Sequence, residues 1–233
     1  MNAMILAAGL GTRLRPLTLT TPKPLLAVGG KPLIVWHIEA LQRIGVRRVV
    51  INTAWLAERL VEALGDGSTW GVEIVWSHEG EALETAGGIN KALHLLGDEP
   101  FILINGDVWT RFDLAALTAR KLGDDLIHLV MVDNPEQHPQ GDFYLQAGRM
   151  FESVDQADTA LLSGQQLTFA GISVLSPRLF DGLAQGRAAL APLLRQAMQA
   201  GRASGEHLQG AWVDVGTPER LQTLDQQIHS GAV

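Results

Sequence analysis

A glycine-bearing loop followed by a run of cations opens the chain. It reads Leu6-Ala7-Ala8-Gly9-Leu10-Gly11-Thr12-Arg13-Leu14-Arg15-Pro16 and follows a short apolar stretch. Glycine at 9 and 11 lets the backbone approach a ligand without side-chain clash. Loop N–H groups turned inward make an anion cradle, and Arg13 adds forked donors that suit a phosphate. A dinucleotide fingerprint needs a third glycine at position 14, where Leu14 stands, and the Gly-Lys-Ser/Thr of a Walker A loop is absent. The alternative is an ordinary glycine turn between strand and helix. Thr12, Arg13, Arg15 and Lys23 favour a phosphate loop of another kind.

Lys23 lies in Pro22-Lys23-Pro24, where the two prolines stiffen the backbone on either side. A lysine held this way loses little entropy on meeting a ligand; a solvated surface lysine is the bland alternative. Two aspartates are candidates for metal ligation. Asp107 follows the apolar run Phe101–Asn105 after Gly106, and Asp214 lies in Trp212-Val213-Asp214-Val215-Gly216-Thr217-Pro218. Ligands of parallel α/β sheets bind at the carboxyl ends of strands. Two carboxylates suit Mg²⁺, with substrate phosphates completing the shell. Either could instead cap a helix, although Thr217 is the better cap before Pro218.

The elements that must position these residues alternate. Ala3–Ala7 reads as a buried strand, and Pro32 opens a helix that Gly45 ends. Strands follow at Arg48–Thr53, Val72–Trp76 and Phe101–Asn105, with helices at Leu56–Leu64 and Thr85–Leu96 between them. This βαβαβαβ order predicts a mixed, mainly parallel sheet with helices on both faces. Further on, strands are expected at Asp125–Val132, Leu167–Leu175 and Ala211–Val215, and a hairpin at Phe143–Val154. Helical stretches are expected at Pro177–Leu183, at Ala188–Ala200 and from Pro218 onward. Without a linker or repeat, 1–233 reads as one domain. Its nucleotide half spans about 1–110 and its sugar-phosphate half about 111–233.

Composition narrows the function. With no cysteine, disulfides, thiolate metal sites and cysteine nucleophiles are excluded. The seven histidines show no zinc-ligand spacing. A net charge of -7 argues against general nucleic-acid binding. Yet the first acidic residue is Glu39, and Arg13, Arg15, Lys23 and Lys31 precede it, a segment suited to a small anion. No apolar run is long enough for a membrane span and no cleavable leader is visible, so a cytoplasmic protein is expected.

The opening Leu6-Ala-Ala-Gly-x-Gly-Thr-Arg-Leu-x-Pro, with Pro22-Lys23-Pro24-Leu25, resembles that of the sugar-1-phosphate nucleotidyltransferases. Thr85-Ala86-Gly87, Gly106-Asp107 and Trp212-x-Asp214-x-Gly-Thr-Pro follow in that family's order along the whole chain. The resemblance implies a Rossmann-like nucleotide-diphospho-sugar transferase fold, with Mg²⁺ held by Asp107 and Asp214. It implies a nucleoside triphosphate bound by Ala8, Gly9, Gly11, Thr12, Arg13 and Lys23, its base facing Glu79, Gly80 and Thr85. It places Asn105, Asp142, Glu152 and Gly171 towards the sugar 1-phosphate. The family's Val-Glu-Lys-Pro stretch is missing, since no lysine follows Lys121, and Gly141-Asp142-Phe143 replaces a Tyr-Gly-Val. The β-helix extension of bifunctional members is not expected here. These departures look most like the branch that uridylylates N-acetylmuramate 1-phosphate in cell-wall recycling. Guanylyltransferases of mannose 1-phosphate and thymidylyl- or uridylyltransferases of glucose 1-phosphate are the competitors. For a muramyl carboxylate, Arg149 and Arg202 are candidate cations.

The reaction so implied is in-line attack of the sugar phosphate on the α-phosphorus, with pyrophosphate leaving. A phosphate monoester is mostly a dianion at neutral pH, so no general base is required. Arg13 and Lys23 are the expected catalytic side chains, offsetting charge as two polyanions meet. A sensor that binds sugar nucleotides without turnover is the rival from another class, and a nicotinamide dehydrogenase is disfavoured by Leu14. With no appended domain, a monomer is expected.

Overall fold

The computed structural model describes residues 1–153 and 165–233. Thirteen strands and six α-helices occur among them. The nucleotide half begins with β1 (Ala3–Leu6), β2 (Ala27–Val28), β3 (Lys31–Pro32), α1 (Leu33–Arg43), β4 (Arg48–Thr53) and α2 (Ala57–Leu64). It continues with β5 (Glu73–His78), α3 (Glu84–Leu96), β6 (Phe101–Asn105) and β7 (Val108–Thr110). Then come α4 (Ala115–Thr118), β8 (Ile127–Val132), β9 (Phe143–Gln146), β10 (Arg149–Phe151) and β11 (Gln165–Leu175). The chain closes with α5 (Ala191–Gln199), β12 (Ala203–His207), β13 (Trp212–Asp214) and α6 (Pro218–Ser230).

Nine strands form one sheet in the order β5-β4-β1-β6-β11-β8-β12-β10-β9. β5, β4, β1 and β6 are mutually parallel, and β12 joins β8 in parallel. Only β11 and β10 run against the remaining strands. The sheet is therefore mixed and mainly parallel, as the alternating pattern predicts. Strand alternation explains the two layers of core. Ala3, Ile5, Val49, Ile51, Ile102 and Ile104 face α1 and α2. Met4, Val50, Phe101, Leu103, Leu129 and Met131 face α3 and α5. Helices on both faces follow from strands that are apolar on both sides.

Leaving β1, the chain steps outward to β4 and β5, then returns through α3 to β6 on the other side of β1. That reversal creates a crevice at the carboxyl ends of β1 and β6. Two small ladders complete it. β7 pairs antiparallel with β13, matching Val108 to Asp214, and β2 pairs with β3. A third apolar cluster of Val28, Leu33, Trp109, Val215 and Leu224 locks α6 and the β7–β13 ladder against α1. Two distant stretches of sequence are thereby brought to one rim.

Several boundaries differ from the sequence expectation. The stretch from Pro177 is a single 3-10 turn, Pro177–Phe180, capped by the Ser176 hydroxyl, which accepts from Arg178 N–H at 3.3 Å. The hairpin is β9–β10; its expected last residue, Val154, lies outside the described residues. Asp107 caps no helix, because β7 follows it. Thr217 does cap α6, accepting from Arg220 N–H at 3.3 Å.

Candidate active site

β1 hands its chain to the loop under tight control. Gly106 N–H donates to Leu6 O at 2.9 Å on one side. On the other, Ala7 N–H donates to Asn52 Oδ1 at 2.8 Å. The loop then leaves the sheet at a fixed angle. Gly9 has nothing within 4 Å of where a Cβ would sit, so its bareness opens ligand space. Gly11 is glycine for another reason. Its φ is +60°, and a Cβ would lie 2.8 Å from Thr18 Cγ2 and 3.3 Å from Lys23 Cβ. Leu14, where a dinucleotide loop would need glycine, is buried in the core.

Lys23 occupies the 3-10 turn Lys23–Leu25 and is almost fully buried. Its Nζ donates to Asp107 Oδ2 at 2.6 Å. A solvated surface lysine is excluded. The pair lies at the wall of a cavity of about 240 Å³ at the ends of β1, β4 and β6. Ala8, Gly9, Lys23, Glu79, Thr85, Asn105 and Asp107 line this cavity. Seven residues expected at the site are thus brought together. Arg13 and Thr12 are exposed on the turn beyond the loop and do not line it. Gly80, at φ +73°, is at the turn before α3.

Asp214 reaches the same rim by the β7–β13 ladder, where Val215 N–H donates to Asp107 O at 2.9 Å. Asp214 itself, however, lines a second cavity, with Asn134, Trp212 and Arg220. Oδ2 accepts from Arg220 Nη1 at 2.8 Å. A Cβ on Gly216 would come within 2.4 Å of Arg220 Nη2, so that glycine gives the guanidinium its place. Arg220 escaped sequence reasoning. A cation in the first turn of a helix opposes the helix dipole, and that anomaly was the available signal that a carboxylate lay close by.

Both aspartates offer the hard oxygen donors that Mg²⁺ takes. Each commits Oδ2 to one cation, and their side chains are 37% and 25% exposed. Among the described residues no group of three histidine or acidic side chains could hold a metal. Few protein ligands, with oxygen completed by substrate, is the habit of Mg²⁺ rather than of an all-protein cage.

The sugar-side residues separate. Asn105 and Gly171 meet: Gly171 has φ +74°, and a Cβ there would fall 2.7 Å from Asn105 Nδ2. Asp142 ties β9 to β11, accepting from Phe169 N–H at 2.8 Å and lying 3.1 Å from His138 Nε2. Glu152 pairs with Arg195 at 3.1 Å and accepts from Gln199 Nε2 at 2.8 Å, which turns it towards α5. The two arginines offered for a muramyl carboxylate are engaged elsewhere. Arg149 forks onto Asp125 at 2.8 and 2.9 Å, and Arg202 Nε donates to Asp124 O at 2.7 Å. Pro24, Asn52, Ala82 and Glu84 are additional lining residues. Asn52 is buried, with its Nδ2 donating to Glu79 Oε1 at 2.6 Å.

Behind the rim, His37 of α1 is buried, with Nε2 2.8 Å from Val108 O. Burial drives its pKa down to about 4, outweighing the bond to Val108 and the charge of Asp107. The ring is neutral at physiological pH, so Nε2–H donates to the carbonyl next to Asp107.

The arrangement can hold a triphosphate against bare backbone and place a cation between carboxylate and phosphate. Comparison with known proteins agrees. Over 227 residues the chain is 48% identical to N-acetylmuramate alpha-1-phosphate uridylyltransferase of Neisseria meningitidis, covering 95% of this chain and 96% of that one. Mannose-1-phosphate guanylyltransferase catalytic subunit beta of Danio rerio is 32% identical over 96% of this chain, which spans 63% of that relative's length. A solved structure from Bacillus anthracis described as a glucose-1-phosphate thymidylyltransferase superposes with a TM-score of 0.82 at 20% identity, covering 98% of this chain and 95% of that one. That likeness shows the fold. The family model for nucleotidyl transferases matches residues 2–143, and the chain belongs to that family.

Proposed function

We propose that this protein transfers uridylyl from UTP to N-acetylmuramate 1-phosphate, releasing pyrophosphate, with Mg²⁺ as cofactor. The observation that carries the reaction class is the Lys23–Asp107 pair at 2.6 Å beside the Gly9 loop, on the wall of one cavity. Similarity to the Neisseria uridylyltransferase supports the choice of base and sugar. The continuous sheet supports one working unit over 1–233, with its nucleotide half at about 1–110. No helix among the described residues is long and apolar enough to cross a membrane. A cytoplasmic monomer serving peptidoglycan recycling is the setting proposed.

Asp107 and Asp214 are the residues that would hold the metal. Bound Mg²⁺ supplies charge neutralisation and a fixed geometry for phosphates that otherwise repel. The protein's own groups do the rest. Backbone N–H groups from Ala8 to Gly11 hold the triphosphate tail. Arg13, free to swing from its exposed turn, offsets charge on the departing pyrophosphate. Lys23 exchanges its carboxylate partner for the α-phosphate and the incoming sugar phosphate, holding both in reach. Asn105 and Gly171 face the sugar side.

The test is a grid of triphosphates against glucose, mannose, N-acetylglucosamine and N-acetylmuramate 1-phosphates, read by pyrophosphate release. UTP with N-acetylmuramate 1-phosphate gives the highest kcat/KM. A preference for GTP with mannose 1-phosphate moves the protein to the guanylyltransferase branch. Triphosphate binding without pyrophosphate release makes it a sensor.

A further inference from the structure

Glu79 is a buried carboxylate with both oxygens occupied. Oε1 accepts from Asn52 Nδ2 at 2.6 Å, and Oε2 accepts from Leu83 N–H at 2.9 Å. Gly88 closes over Oε1, since a Cβ there would come within 2.4 Å of it. Asn52 has no freedom either. Its Oδ1 must face the Ala7 N–H and its Nδ2 must face the Glu79 carboxylate, so the amide has one permitted orientation. Asn52 is 3% exposed and Glu79 8%. Desolvating such groups is costly unless their hydrogen bonds are made, and here they are made to one another.

The chain of bonds joins parts that are otherwise separate. Ala7 is the first residue of the phosphate loop, Asn52 is the penultimate residue of β4, beside Leu6, and Leu83 directly precedes α3. Ala7, Asn52 and Glu79 all line the Gly9 cavity. One side-chain amide therefore fixes the distance between the wall that holds the phosphates and the wall on the base side. A carboxylate held by one bond on each oxygen has its orientation set before a base arrives, with one lone pair left on each oxygen, which suits a strut better than a reader of a base edge.

We propose that Asn52 is a positioning residue that, through Glu79, couples the phosphate loop to the base-side loop, and that Glu79 is a strut in this coupling rather than the group that reads the base. The inference rests on the nucleotidyl-transfer reading of the same cavity. A strut misplaced loosens the triphosphate whatever its base, and Asn52 and Glu79 act as one unit.

The experiment compares the wild type with Asn52→Ala, Glu79→Ala and the double variant, using UTP, GTP and dTTP at saturating sugar 1-phosphate. Both single variants should raise KM for UTP about 10-fold, the scale of one lost buried hydrogen bond. The double variant should be no worse than the worse single, and the UTP:GTP:dTTP ratio should stay that of the wild type. Calorimetric UTP affinity should fall in step. A changed base ratio in Glu79→Ala, or additive losses in the double variant, overturns the proposal. So does a lowered Tm with UTP affinity unchanged, which is the signature of a merely structural bond. Where an alanine variant fails to fold, Asn52→Ser and Glu79→Gln carry the same comparison. A wild type that binds UTP without turnover defeats the functional reading alone, and the affinity series then decides the coupling. A wild type that binds no triphosphate overturns both.

Discussion

Lys23 Nζ and Asp107 Oδ2 meet at 2.6 Å across 84 residues of sequence. The lysine side chain is 10% exposed and the aspartate 37%. The carboxylate is the half that solvent, or a metal ion, can reach. Lys23 is held by a Pro-Lys-Pro turn and by this one partner, so it is already aimed when substrate arrives.

Removing the ammonium should therefore damage rate more than binding. Lys23→Ala is expected to lower kcat roughly 100- to 1,000-fold, the usual loss for one preorganised donor to a developing charge. The Kd for UTP should change little, since in the proposed complex the loop backbone makes the triphosphate contacts. Single-turnover kinetics with separate UTP titration checks this. An unchanged kcat would remove Lys23 from the chemistry.

Asp107→Ala and Asp214→Ala should each abolish Mg²⁺-dependent turnover. They should differ in stability. Asp107→Ala leaves a buried ammonium without its partner, a loss of about 2 kcal/mol that lowers Tm by several degrees. Asp107→Asn restores an acceptor and should recover most of the Tm without recovering activity. Thermal scans beside activity assays separate the two roles. Near-normal Mg²⁺-dependent turnover in either alanine variant would defeat the metal assignment.

Arg220 Nη1 holds Asp214 Oδ2 at 2.8 Å, which leaves Oδ1 for the proposed metal. Groups that orient a ligand typically matter about 10- to 100-fold in metal affinity. Arg220→Ala is therefore expected to raise the Mg²⁺ concentration for half-maximal rate by about 10-fold. Titrating Mg²⁺ at saturating substrates measures it, and an unshifted midpoint would leave Arg220 with a structural role only.

Much of this was legible because the first half of the chain obeys local rules. Arg48–Thr53 and Phe101–Asn105 appear with the boundaries their apolar runs predict, and Gly45 and Gly97 end their helices at positive φ. β12 was missed because Ala-Ser-Gly-Glu-His carries no apolar period; it is a strand because β8 and β10 flank it. β7 was missed because three residues are too few to show alternation. At the site, residues near conspicuous motifs were found, whereas Asn52 and Arg220 were not. Their roles come from what lies opposite them after folding. Arg149 and Arg202 illustrate the converse, since location in sequence did not disclose that Asp125 and the Asp124 carbonyl claim them.

Gly11 offers a test of the loop's backbone. Gly11→Ala must hold an L residue at φ +60° and bring a methyl 2.8 Å from Thr18 Cγ2. Left-handed backbone alone costs about 1–2 kcal/mol, and the nearby Lys23 Cβ leaves no easy retreat. The expected outcome is a lower urea midpoint with kcat also reduced, because relief of the clash moves Lys23. Gly9→Ala has open space and should leave the midpoint unchanged while weakening triphosphate binding. Equal stability of Gly11→Ala and wild type would contradict the geometry.

His37 gives stability a defined pH dependence. Its folded pKa is about 4, against the ordinary 6.5, and burial is the main cause. Between these values the unfolded chain binds a proton that the folded protein refuses. Stability therefore falls as pH drops through 6.5 and stops falling below 4, where both states are charged. The full loss from this one ring is roughly 3 kcal/mol. Above pH 7 it contributes no slope. Urea unfolding from pH 8 to pH 4, without metal, should show this loss in the wild type but not in His37→Gln. Subtracting the two curves cancels the carboxylates, which titrate in both. A difference curve flat across pH 6.5 to 4 would mean that the buried ring accepts its proton in place, and that the Val108 carbonyl beside Asp107 is held by a cation.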